Sequence, residues 1–203
     1  MKKPIYIVAM VAALVLSTAS GARATTTHDT HDTHDTHDGS HDRHDPPGIA
    51  KQLAELKRAT ARNRKIANAL HDGFEAFAIP PEVGGTPTTG LGLVGDPTCF
   101  DSDTGGMGVH YVKGIDGDVN LTAPEAMVYE ITRGHHLRLV GVEYIVPETL
   151  VDPAHLPVLF GQEFHHHEYL PVYILHVWAW KHNPNGLFAD FNPTVKGCPA
   201  PAP

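Results

Sequence analysis

The run Pro-Val-Tyr-Ile-Leu-His-Val-Trp-Ala-Trp at residues 171–180 constrains the fold more than any other stretch of the chain. Its β-branched and aromatic residues are typical of a buried strand, and an Asn-Pro-Asn-Gly turn signal follows at residues 183–186. Alternate side chains of a strand share a face. One face of this strand would carry Val172, Ile174, His176, Trp178 and Trp180. We therefore expect one imidazole within a large apolar surface, either as a core histidine or as part of a site.

Three more strands are predicted upstream, at residues 108–113, 125–132 and 136–146. Arg133-Gly134-His135 separates the second from the third and is typical of a tight hairpin. Before them, apolar residues recur at helical spacing from Ile49 to about His71, which predicts one amphipathic helix. A helix followed by mostly antiparallel strands favours an α+β fold with the helix packed on the sheet, and a distorted β-barrel is the alternative.

The N-terminal residues are typical of an exported chain. Lys2 and Lys3 precede an apolar run, and Ala22-Arg23-Ala24 provides a signal-peptidase site, so residues 1–24 are predicted to be a signal peptide. Residues 25–47 repeat His-Asp without core residues and are predicted to be a disordered arm. Residues 48–203 then form a single globular domain. We expect a periplasmic or secreted protein that makes no membrane contact after signal cleavage.

Cys99 and Cys198 are the only cysteines in the chain. Because export favours an oxidising compartment, we predict that they form a disulfide, and two free thiols are the alternative. A bond that closes a loop of roughly 100 residues would stabilise the fold by about 4–5 kcal/mol in the chain-entropy model.

Charge and composition exclude several function classes. Without Lys2, Lys3 and Arg23, 12 of the 15 basic residues remain against 23 acidic ones, a formal charge of −11. Such a surface repels nucleic acid and anionic lipid, so neither is an expected partner, and no protein partner is indicated. Beyond the signal peptide the only serines are Ser40 and Ser102, and no Gly-x-Ser-x-Gly motif occurs, which argues against a serine hydrolase. Histidines and carboxylates remain as the reactive groups.

The predicted arm is a candidate for metal binding, because each of its histidines is followed directly by aspartate. Imidazole suits zinc, copper(II) and nickel, and carboxylate oxygens can complete the coordination shell. We expect several weak sites rather than one of fixed geometry. Their histidines are His28, His31, His34, His37, His41 and His44.

Within the domain, four residues form a second candidate site. His110 and His176 lie in strongly apolar predicted strands, and Glu130 and Glu143 lie in strands that are expected to be neighbours. A buried carboxylate is costly unless it is paired or coordinates a cation. If the two imidazoles meet one or both carboxylates, they form a divalent-metal site with an open position. The alternative is that each histidine makes a local hydrogen bond and each glutamate reaches the surface.

Four motifs of the predicted domain are similar to those of a known group of proteins. They are Gly-Met-Gly-Val-His-Tyr-Val at 106–112, Val-Glu-Tyr at 142–144, Leu-His-Val-Trp at 175–178 and the two Asn-Pro pairs between 183 and 193. In these motifs the chain resembles a group of exported bacterial proteins with no assigned activity. The resemblance runs from the helix to Cys198 and implies one recurring domain, but it implies no reaction, substrate or cofactor.

Three functions are compatible with these patterns. The first is an exported protein that binds a divalent transition metal through its arm, with the domain holding or receiving the ion. The second is an enzyme that uses a bound metal or a His–Glu pair for acid–base chemistry on a small ligand. The third is a non-catalytic binding or structural module. The sequence identifies no reaction, and it favours a non-catalytic role.

Overall fold

The computed structural model describes residues 47–79 and 90–200. The predicted signal peptide and all six histidines of the predicted arm lie outside the described residues.

The predicted helix is present but is interrupted once. It comprises α1 (Pro47–Thr60), a 3-10 turn (Ala61–Arg64) and α2 (Ile66–His71), so it ends where the apolar spacing predicted. At the interruption Lys65 is extended, with φ −96° and ψ 115°. The Thr60 hydroxyl donates to the Leu56 carbonyl at 2.8 Å, a side-chain bond to the preceding turn that bends helices.

Seven strands form one open antiparallel sheet. They are β1 (Glu75–Ala76), β2 (Cys99–Ser102), β3 (Gly105–Val112), β4 (Ala126–Ile131), β5 (Leu137–Pro147), β8 (His165–His166) and β9 (Val172–Val177). Its order is β1-β3-β4-β5-β9-β8, with β2 also paired to β3, and the sheet is not closed into a barrel. The chain is therefore α+β, as predicted. The four predicted strands are confirmed as β3, β4, β5 and β9.

The connections agree with the turn signals. A 3-10 turn (Arg133–His135) joins β4 to β5, with Gly134 in the left-handed region at φ 73°, which confirms the predicted hairpin. Between β5 and β9 the chain is mostly irregular, and it contains a second sheet of two short strands, β6 (Val158–Leu159) and β7 (Gln162–Glu163).

The two faces of the sheet bury different cores. The main core includes Leu56 of α1 together with Tyr111, Tyr129, Tyr144 and Leu175 from four strands. The opposite face carries two smaller apolar clusters. The first cluster is Val112, Ala126, Ile145, Val172 and Ile174, and the second is Val128, Val140, Trp178 and Val195. The prediction that Trp180 shares a face with His176 is wrong, because β9 ends at Val177 and Trp180 packs against the main core.

The predicted disulfide is present. Cys99 and Cys198 are bonded, with their Cα atoms 5.8 Å apart. The Cys198 amide donates to Asp101 at 2.7 Å, and Asn192 makes an antiparallel bridge with Gly106, so the C-terminal segment is tied to β2 and β3. The bond indicates a non-cytoplasmic environment. Within the described residues, no helix has the length and apolar character needed to span a membrane.

Candidate metal centre

Two histidines and a glutamate converge on the sheet face that carries the smaller clusters. Glu143 on β5 lies directly opposite His176 on β9, so both side chains project from the same face. On β4, Ala126 is opposite Glu143, and Val128 is opposite His110 of β3. His110 therefore approaches Glu143 diagonally across β4. The small side chain of Ala126 leaves room for this approach.

The distances within this group fit a coordinated ion. His110 Nε2 is 3.3 Å from His176 Nε2 and 3.4 Å from Glu143 Oε2, and His176 Nε2 is 3.8 Å from Glu143 Oε1. One ligand atom from each residue lies within 4.8 Å of the others. Ligands bonded to zinc at about 2.1 Å in a tetrahedral arrangement are about 3.4 Å apart. The three side chains are thus spaced as ligands of one small cation.

All three side chains are buried, His110 at 3%, Glu143 at 6% and His176 at 1% exposed. Along their strands they separate the two smaller apolar clusters, which places polar groups in the middle of an apolar face. The His110 ring meets Phe100 edge-on at 5.7 Å, and the His176 ring stacks on Trp178 at 6.1 Å. A carboxylate so deeply buried requires a compensating charge, either a proton or a cation.

Asp190 and His165 connect this group to the surface. Asp190 Oδ1 is 3.5 Å from His176 Nδ1, and Asp190 Oδ2 is 3.2 Å from His165 Nε2. The Asp190 and His165 side chains are 37% and 46% exposed. A carboxylate behind a ligating imidazole fixes the tautomer and orientation of the ring. At His176 it leaves Nε2 as the nitrogen that faces the group.

Several buried polar atoms of the site have no hydrogen bond of good geometry within the described residues. They include His110 Nδ1, His176 Nδ1 and Asp190 Oδ1. The 3.5 Å contact between His176 and Asp190 is therefore longer and less well aligned than a formed hydrogen bond. A cation at the Nε2 atoms would strengthen this contact, because it makes the His176 Nδ1 proton a better donor.

Burial and neighbouring charges shift the pKa values of the three converging groups in different directions. Burial, together with the charges of His176 and His167, lowers the pKa of His110 well below its usual value. Burial also opposes charge on His176, but the carboxylates of Glu143 and Asp190 outweigh it and raise its pKa. Burial raises the pKa of Glu143. Without a metal, a proton is therefore held more readily by His176 than by His110.

The pKa of the Asp190 carboxyl group is shifted downwards, opposite to that of Glu143. Burial would raise the pKa of its carboxyl group, but the hydrogen bond with His165 and the interaction with His176 hold it well below the usual range. The Asp190 contact in turn raises the pKa of His165. Asp190 is thus ionised at neutral pH and supplies a fixed negative charge beside the buried group.

The predicted ligand Glu130 does not belong to this group, and this prediction requires correction. Glu130 lies on β4 opposite Arg138, one pleat beyond the position opposite His110. Its carboxylate accepts from Lys181 at 2.7 Å, from the Lys196 amide at 3.1 Å and from Arg138. These donors already compensate its charge, so Glu130 is a structural ion-pair residue.

The sequence analysis did not identify His165 or Asp190 as residues of this site. In the structure His165 pairs with Ile174, so it lies on the face that bears His176, whereas His166 pairs with Tyr173 on the other face. Once residues 165–166 were assigned to a strand, the alternation of their side chains would have indicated that His165 and His166 lie on opposite faces. Asp190 had no such signal, because its position depends on the path of the irregular chain after β9.

Three protein ligands leave one position of a tetrahedral ion free, as in catalytic zinc sites. The free position could take water, an exogenous ligand or a further protein group. Comparisons of the chain with protein-family models, with curated proteins and with solved structures found no match.

Proposed function

We propose that this protein is an exported metal-binding protein whose folded domain holds one divalent transition-metal ion between His110, Glu143 and His176. The observation that carries the proposal is the convergence of two Nε2 atoms and one carboxylate from three strands in a buried site. Mixed imidazole and carboxylate donors suit zinc, copper(II) and nickel.

The residues of the site are matched in charge to a divalent ion. The ionised forms of Glu143 and Asp190 would supply two negative charges next to the two imidazoles, so a divalent cation would leave the buried region close to neutral. The same ion would take the place of a proton on His176 or Glu143 as the compensating charge. Metal binding would therefore release protons and weaken as the pH falls.

The His-Asp arm has a separate role in this proposal. Its six histidines provide exchangeable sites of low affinity that raise the metal concentration near the domain. The proposed location is the periplasm or the extracellular space, which the disulfide supports. Metal ions are the proposed partners, and the net negative charge argues against nucleic acid and anionic lipid.

A second candidate is a metal-dependent enzyme, which the free coordination position favours. In such an enzyme the three ligands would hold an ion that polarises a bound small molecule or water. The deep burial of all three ligands argues for ion retention over substrate access.

The test separates the domain site from the arm within the full chain. In one variant, asparagine replaces the arm histidines, which are His28, His31, His34, His37, His41 and His44. After dialysis, elemental analysis and zinc calorimetry should find one tight equivalent in this variant, and the weaker equivalents of the native chain should be missing.

Glu143→Gln in the same background should remove the tight equivalent, because the buried site loses its charged ligand. The matched control is His155→Asn, which removes an exposed histidine that pairs with Asp152 at 2.8 Å. It should retain the ion. A folded arm variant without metal, or a Glu143→Gln variant that retains one equivalent, would contradict the proposed domain site.

A further inference from the structure

An open concavity lies on the side of the sheet that carries the main core, where the helical segment meets the beginning of β5. It has a volume of about 530 Å³, within the usual range for small-molecule sites. Its lining includes Arg62, Arg64, Lys65, Arg138, Leu139 and Trp180, and we refer to it as the basic groove. From its charge and its walls we infer that the basic groove binds a small organic anion, with a phosphate or carboxylate group and a flat apolar body.

The charge of the groove is opposite to that of the whole chain. The helical segment contributes three cationic lining residues, Arg62, Arg64 and Lys65, and no lining residue is acidic, although the chain has a formal charge of −8. The 3-10 turn and the residue that follows it contribute three like charges within four positions, Arg62, Arg64 and Lys65. A concave wall with one sign of charge concentrates ligands of the opposite sign.

The cationic groups remain available to a ligand. Neither Arg64 nor Lys65 has a carboxylate partner within 4.0 Å in the part of the chain that the structure describes. Arg62 pairs with Asp72 at 3.2 Å, but its side chain stays 58% exposed. Arg138 also lines the groove, but it alternates with Leu139 along β5 and pairs with Glu130, so its guanidinium lies on the face that bears the candidate metal centre. Because a guanidinium has several donors in a planar fork, Arg62 can keep its pair with Asp72 and still bind an anion.

A rigid aromatic wall completes the groove. The Trp180 indole donates to the Thr60 hydroxyl at 3.3 Å, and the Trp180 backbone amide donates to the Val140 carbonyl at 3.0 Å. The guanidinium of Arg64 lies over the indole ring, 5.3 Å from its centroid. This contact holds a positive charge beside an apolar surface to which Leu139 also contributes. A ligand with an anionic end and a flat body would use both features.

Two probes test the inference, phenyl phosphate and benzoate, titrated into the full chain at low ionic strength with a chelator present. The chelator separates this site from the proposed metal centre on the opposite face. Calorimetry should show saturable 1:1 binding of at least one probe, and its affinity should exceed that of inorganic phosphate, which lacks the flat body. The preferred probe identifies the anionic group.

The double variant Arg64→Gln/Lys65→Gln should weaken binding of that probe at least tenfold. Both side chains are exposed, so the variant is expected to keep the native melting temperature. Arg133→Gln, in the β4–β5 turn, removes an exposed cation that does not line the groove and should bind like the native chain. Absence of saturable binding for both probes, equal binding by the double variant, or an equal loss in Arg133→Gln would overturn the inference.

Discussion

The imidazole rings of His110 and His176 are separated by 66 positions in the chain and meet Nε2 to Nε2 at 3.3 Å. Each ring belongs to a different strand of one sheet, and Glu143 stands beside both. The pairing register of the sheet, rather than a flexible loop, sets the relative positions of these groups. Ligands on paired strands are preorganised, so an ion can bind with little further ordering of the protein.

Asp190 should contribute to metal affinity through His176 without contacting the ion. Asp190→Asn removes the negative charge behind His176 Nδ1, and outer partners of this kind typically change metal affinity by about 10–100-fold. Competition titration with a chromophoric zinc chelator would measure the loss in the background that lacks the arm histidines. The matched control is Asp152→Asn, which disrupts an exposed His–Asp pair 2.8 Å apart. Equal zinc affinity in both variants would contradict a positioning role for Asp190.

Lys181 should stabilise the fold without affecting the ion. Its side chain is 18% exposed, and it compensates Glu130, which is 1% exposed. Lys181→Met leaves that carboxylate with fewer partners and should lower the free energy of unfolding by about 3 kcal/mol in urea titrations. Lys196→Met is the control, since Lys196 contacts Glu130 through its backbone amide. Metal loss in the Lys181 variant would contradict the separation of Glu130 from the metal centre.

The disulfide should account for a large part of the stability. Cys99 and Cys198 enclose a sequence separation of 99 residues, for which the chain-entropy model gives about 4–5 kcal/mol. The double variant Cys99→Ala/Cys198→Ala should unfold at correspondingly lower urea concentration. Reductant should lower the urea midpoint of the native protein by a similar amount and leave the midpoint of the variant unchanged. If the double variant had the same urea midpoint as the native protein, the disulfide would not contribute to stability as predicted.

Glu125 should make stability depend on pH independently of the metal. Burial, with smaller contributions from Asp116 and Glu143, raises its pKa from 4.5 to about 7, although the Ile145 amide donates to it. Between these values the folded state holds a proton that the unfolded state has lost. The stabilisation that protonated Glu125 contributes to the fold is thus fully present below pH 4.5 and disappears as the pH rises through about 7.

Glu125→Gln should remove this dependence, because the amide oxygen can still accept from Ile145 and carries no charge. With a chelator present, the variant should be more stable than the native protein at pH 8, by about 3 kcal/mol. The difference should vanish near pH 4. Urea midpoints across this range provide the measurement, and parallel curves for the two proteins would show that Glu125 does not titrate as described.

The strands were predictable because their apolar runs and turn residues are local signals. β3, β4, β5 and β9 lie where alternation and turns placed them, and His110 and His176 could be selected as polar residues within those runs. The choice between Glu130 and Glu143 was not predictable. It depends on strand register and on an irregularity between Val128 and Tyr129, which no local pattern reveals.

The remainder of the centre depends on contacts between distant segments. Asp190 reaches His176 from an irregular segment, and that segment is held by the bridge of Asn192 to Gly106 and by the disulfide of Cys198. Such placements follow from tertiary packing, so composition and spacing alone could not reveal them. The interruption of the helix at Lys65, which creates the basic groove, also lacked a strong breaker such as proline or glycine.

The distribution of the three proposed ligands over β3, β5 and β9 imposes an order on maturation. Synthesis supplies His110 first, Glu143 next and His176 last, and Cys198 follows all of them. A partly synthesised chain therefore lacks part of this proposed ion cage, and the disulfide can form only after Cys198 has been made. If the chain is exported unfolded, the cage assembles only at its destination, so the local metal supply there would determine which ion becomes enclosed.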